Sequence, residues 1–97
     1  MFIVNYNYIK PIEEVNNFTE AHRAYLSEHY KTGKFILGGP KVPRDGGVVI
    51  ANARSKQEVE VILSKDPFII EGIAACTLIE FNPLLSASDL ERYKVEV

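Results

Sequence analysis

Side chains able to move a proton near neutral pH are few in this chain, and two of them, His22 and His29, lie in one segment, Val15 to Thr32. At 3.6 residues per turn, Val15, Phe18, His22, Tyr25, Leu26 and His29 share an arc of roughly 100°, the width of a core-facing helical stripe. Glu20, Ala24, Ser27, Glu28 and Lys31 take the opposite side, as a solvated face should. Both imidazoles therefore point inward, where their ring nitrogens need a hydrogen bond, a water or a ligand. Two readings of His22 stay open: a core histidine satisfied by a backbone carbonyl, or a general acid/base, because imidazole titrates near neutral pH. His29 reads as structural. Together the two do not make a metal site: seven residues of helix span about 10 Å, too far for one zinc ion with bonds of about 2 Å. No metal is expected.

Other chemistry is narrowed by motif. The glycines at 38, 39, 46 and 47 are not followed by a glycine-lysine-serine/threonine run into a helix, so they read as turn glycines and not as a phosphate loop. No flavin or nicotinamide fingerprint is present, and no cofactor is expected. Tyr6, Tyr8 and Tyr25 are either core or the hydrogen-bonding walls of a cavity. Cys76 has no partner for a disulfide and sits in the apolar run GIAACTLIEF, as an inert core thiol would.

The elements that must position these residues follow from periodicity and punctuation. Phe2 to Ile9 reads as a strand stopped by Pro11, with Phe2, Val4, Tyr6 and Tyr8 on one face and Ile3, Asn5, Asn7 and Ile9 on the other. After the helix, Gly33 supplies a C-cap and Lys34 to Leu37 is a second strand, stopped by Gly38, Gly39 and Pro40. Lys41 to Gly47 forms a long hairpin tip, and Val48 to Ala53 the third strand. Ser55 to Glu58 fits a capping box that opens a second helix with Val59, Ile62 and Leu63 inside. Asp66, Pro67 and Phe68 mark a corner, with a helical turn over Phe68 to Gly72 before the last strand, Ala74 to Asn82. Beyond Pro83 the tail reads as either a short capped helix over Ser88 to Glu91 or a polar arm laid on a neighbouring subunit. The order is strand, helix, strand, strand, helix, strand, which predicts an α+β, ferredoxin-like βαββαβ fold with both helices on one face of a four-stranded antiparallel sheet. The other face is also substantially apolar, so a homodimer is expected.

With 97 residues, 46% hydrophobic and 25% charged, the chain has the makeup of a single domain. A net charge of -2 offers no basic field for a phosphate backbone, so nucleic acid is not an expected partner. No apolar run approaches the roughly 20 residues that span a bilayer, and the opening MFIVNYNYIK lacks a signal-like pattern. A cytoplasmic location is expected.

Three motifs taken in order, the inward His22, ILGGP at Ile36 to Pro40 and DPFIIEG at Asp66 to Gly72, resemble the YciI-like, or YCII-related, domain family. The likeness runs from Phe2 to about Pro83. It implies a ferredoxin-like domain that dimerises into an α+β barrel, related in shape to muconolactone isomerases, with one branch that dehydrochlorinates chlorinated hydroxyhydroquinones. It also implies an active-site histidine and aspartate, which by motif fall on His22 and Asp66. Asp66 is then the carboxylate that orients the imidazole, set against its plainer role as a turn residue bonded to nearby amides. Phe68 stands where the family often has tyrosine, and the tip KVPRDGG is a further departure. The residues divide into a domain over 1–83 and a tail over 84–97. His22 and Asp66 are the expected catalytic pair, and Tyr6, Gly38, Gly39 and Phe68 the expected substrate contacts, with amides near the glycines as oxyanion donors. The function expected is a cofactor-free lyase or isomerase moving a proton on a small cyclic or aromatic acid or ketone. The alternative is a non-catalytic ligand-binding or interaction dimer. A cofactor-free oxygenase is a weaker third.

Overall fold

In the computed structural model, which describes residues 1–96, the chain runs β1 (Phe2–Tyr8), α1 (Ile12–Lys31), β2 (Phe35–Pro40), β3 (Gly46–Ala51), α2 (Lys56–Leu63), α3 (Pro67–Ile70) and β4 (Ala74–Glu80). A 3-10 helix, Ser88–Tyr93, follows. The final residue of the expected 84–97 tail lies outside the described residues. The four strands form one antiparallel sheet in the order β2-β3-β1-β4. Each parallel pair, β1 with β2 and β3 with β4, is thus split by an intervening strand, and a helix makes each crossover. The expected ferredoxin-like architecture is the observed one.

Strand alternation decides which side chains reach the helices. On central β1, Phe2, Val4 and Tyr6 are buried, whereas Ile3, Asn5 and Asn7 face the open side. The inner residues meet Val15 and Leu26 of α1, Val59 and Leu63 of α2 and Phe68 of α3 in one core. Burying a large apolar side chain is worth roughly 1.5–3 kcal/mol, so this layer holds the helices to the sheet.

Helix α1 begins earlier than the stripe suggested, at Ile12, directly after Pro11. Its first turn carries Glu13 and Glu14, which complement the helix dipole but face solvent, so the apolar pattern is visible only from Val15. The other end matches expectation, with Gly33 at φ 79° beyond the last turn. Ser55 caps α2 by accepting from the Glu58 amide. The Glu58 carboxylate pairs with Lys34, tying α2 to the approach to β2, and this contact holds its carboxyl below the usual range.

The largest departure is β2. Gly38, Gly39 and Pro40 do not stop it; they continue it, paired with Val49, Val48 and Gly47. An edge strand tolerates a proline, since one side of its ladder is unpaired. A side chain at Gly38 would collide with the Tyr30 hydroxyl and come within 2.6 Å of the Val48 carbonyl. The hairpin tip is correspondingly shorter than expected, and β3 begins at Gly46 and ends at Ala51, two residues before Ala53. The helix in the tail is present, but no side chain caps it.

Candidate active site

Three elements converge at one end of the sheet. Central β1 presents Tyr6 inward, α1 presents His22, and α3 starts at its N-cap, Asp66. Asp66 caps α3 because the corner sequence Asp-Pro-Phe puts proline at the first helical position, where no amide is needed, and leaves the Phe68 amide for the aspartate side chain. The Phe68 N–H donates to Oδ1 at 2.9 Å.

That carboxylate is fully buried, and both of its oxygens are occupied. The Tyr6 hydroxyl donates to Oδ2 at 2.6 Å, and His22 Nδ1 approaches Oδ1 at 2.8 Å and Oδ2 at 3.0 Å. A carboxylate can only accept, so Nδ1 carries the hydrogen and donates it. In the neutral imidazole the lone pair then sits on Nε2. Among the described residues Nε2 has no hydrogen-bond partner, yet no buried side-chain nitrogen or oxygen is left without one. Nε2 is therefore open to solvent. The ring is held in place by stacking on Phe68, centroids 3.8 Å apart and planes within 5°, and by the edge of Tyr6 at 5.3 Å.

The cavity beside His22 measures about 340 Å³, the small end of the range for ligand pockets. Tyr8 and Phe68 line it together with Gly38 and Gly39 of β2. Thus His22, Asp66 and Phe68 come together as expected, and the two glycines border the same space. Tyr6 also borders it, but its hydroxyl is spent on Asp66 and the residue is 2% exposed, so it serves the carboxylate. Burial and the neighbouring charge of Asp66 push that phenol far above its ordinary range, and it stays a donor. The Asp66 carboxylate thus both caps α3 through the Phe68 amide and bonds His22 Nδ1.

His29 packs between Tyr25 and Phe35, away from the cavity. The Tyr25 hydroxyl is committed to the Ile62 carbonyl at 2.7 Å. Cys76 is half-buried on the inner side of β4, and burial together with Asp66 pushes its thiol up to about 12, which suits the inert role. Among the described residues no three His, Cys, Asp or Glu side chains converge as a metal site would require. Three cavity residues went unassigned in the sequence: Thr19, Arg23 and Tyr30. Tyr30 carried a signal, since His22, Leu26 and Tyr30 are spaced four apart along one helical row.

No curated protein matches the chain. Among solved structures, it is similar to 5-chloro-2-hydroxyhydroquinone dehydrochlorinase from Burkholderia phenoliruptrix AC1100, solved in complex with 2,5-dihydroxybenzoquinone. The TM-score is 0.70 at 24% identity, over 84% of this chain and 94% of that one. At that identity the likeness establishes a shared fold. A family model covers residues 1–82, nearly all of the sheet and helices described above, and by that match the chain belongs to the YCII-related domain family.

Proposed function

We propose that this protein is a small-molecule enzyme of the lyase or isomerase type, in which His22 moves a proton on a small cyclic or aromatic acid or ketone. The observation that carries the reading is the open Nε2 of an imidazole whose Nδ1–H is bound by a buried carboxylate, facing a cavity of about 340 Å³. Nε2 takes a proton from a carbon or hydroxyl of the substrate. The imidazolium that forms gains a charge-assisted bond to Asp66. In an isomerisation the same proton returns at a second atom. In an elimination the C–H electron pair becomes the new double bond, and the leaving group departs with its own pair. Neither course needs a redox partner. That a protein of the same fold is a dehydrochlorinase solved with a quinone supports the elimination branch and a ring-shaped substrate. The open sheet face supports a companion reading, that two copies pack there as a homodimer.

The test is a metabolite screen with the purified protein, followed by His22→Ala on any substrate found. Turnover should fall by roughly 10²-fold or more if His22 is the acid/base. Unchanged turnover would remove His22 from the chemistry. Binding with no turnover across the screen would leave a ligand-binding dimer as the function.

A further inference from the structure

The chain as a whole is acidic, at -2, yet among the described residues no acidic side chain lines the cavity beside His22. The carboxylate bonded to His22, that of Asp66, lies buried behind His22 and Tyr6 with both oxygens already bonded. The lining does carry a cation. Arg23, which follows His22 on α1, lines the cavity, and among the described residues no carboxylate lies within 4.0 Å of its guanidinium. Arg44, from the loop between β2 and β3, reaches back to α1. It donates to Asn16 Oδ1 at 3.1 Å and to Thr19 Oγ1 at 3.2 Å, and its guanidinium stands 5.9 Å from the centre of the Tyr8 ring. All three of those partners are neutral, and Thr19 and Tyr8 both line the cavity. Thr19 and Arg23 are one helical turn apart on α1. Arg23 thus lines this small aromatic-walled space and Arg44 stands behind its lining residues Thr19 and Tyr8, neither guanidinium being paired with a carboxylate among the described residues.

From this we infer that the cavity takes a flat, ring-bearing monocarboxylate, whose acid group is held by Arg23 and Arg44 while its ring lies against Tyr8 and Phe68 beside His22. This rests on the reading of the cavity as a ligand site and narrows its substrate to an acid. Guanidinium is the group best matched to a carboxylate, because its donors form a planar fork. Arg44 is preset by its bonds to α1, so little side-chain freedom is lost when the anion arrives. Anchored there, a ring is directed at Nε2, which is what a proton transfer requires.

The experiment measures binding of benzoate, with benzamide as its neutral counterpart, by ligand-detected NMR at low ionic strength. Wild type, Arg23→Gln and Arg44→Gln are compared, with thermal melts confirming that each variant is folded. Benzoate should bind wild type more tightly than benzamide, weaken by roughly tenfold or more in each variant, and weaken as salt is added. Should Arg44→Gln disturb the hairpin, Arg23→Gln, on an exposed helix position, remains sufficient. Benzamide binding as tightly as benzoate, or benzoate indifferent to Arg23→Gln, overturns the anion site and leaves proton transfer at His22 untouched. Conversely, arginine-dependent benzoate binding in a protein whose turnover survives His22→Ala upholds the anion site and removes the catalytic reading.

Discussion

Asp66 is the residue on which the site turns, because a buried carboxylate is tolerated only when its lone pairs are met. Three donors from three elements meet it: the Tyr6 hydroxyl, His22 Nδ1 and the Phe68 amide. Hydrogen bonds to a charged acceptor contribute roughly 1.5–3 kcal/mol each, more than neutral ones. Tyr6→Phe removes one donor while keeping the ring that packs against His22, so its effect isolates that bond. Urea denaturation should show a loss in about that range, and a variant as stable as wild type would mean that Asp66 does not depend on Tyr6. The histidine was legible from the helical stripe alone. Its partner was not, since 44 residues separate His22 from Asp66 and no local pattern links them; only the likeness to a family suggested the pair. Tyr6 was legible as an inward strand residue, but its role as donor to Asp66 emerges only when the strand lies beside α3.

At the scale of elements, the helices announced themselves and the edge strand did not. The α2 stripe and its Ser55 cap are local signals, and both hold in the fold. In β2 the run Gly38-Gly39-Pro40 has poor strand propensity, and what makes it a strand is the neighbouring β3, which local reading cannot see. The absence of a side chain at Gly38 also leaves room for the Tyr30 hydroxyl against the sheet. Gly38→Ala would place its Cβ against that hydroxyl and the Val48 carbonyl, and the backbone oxygen cannot swing away. Overpacking of this kind costs about 1–3 kcal/mol. The expected outcome is a lower unfolding midpoint together with weaker binding of any cavity ligand, because Gly38, Val48 and Tyr30 all line that space. A variant that melts and binds like wild type would show that the wall at β2 yields to the added methyl group.

For the molecule as a whole, the proposed association turns on the open face of the sheet. Register places Ile50, Ile3 and Ile79 side by side across three strands, an apolar row, with Ile79 56% exposed. The next rows, Val48-Asn5-Thr77 and Gly46-Asn7-Ala75, are more polar, so the face is apolar mainly at one end and less uniformly than strand alternation suggested. That end adjoins an apolar hollow of about 260 Å³, where Leu85 and Leu90 of the tail approach Leu37 and Ile50 of the sheet. The tail itself is pinned by the Val95 amide to the Pro83 carbonyl, and leaves Leu85 92% exposed. An apolar row open at this density favours association, and a stable pair buries about 1,600 Å² in total. Light scattering at micromolar concentration should therefore give about twice the 10.9 kDa chain mass. Ile79→Lys puts a charge into the proposed contact at the exposed end of that row, where burying it unpaired is costly, and should yield folded monomer. The candidate site lies on the opposite, helix-covered face, so binding of a small anion should survive in that monomer. A wild-type chain that stays monomeric would confine the reading to one copy, and would require the half-exposed isoleucine row to be explained by some other partner.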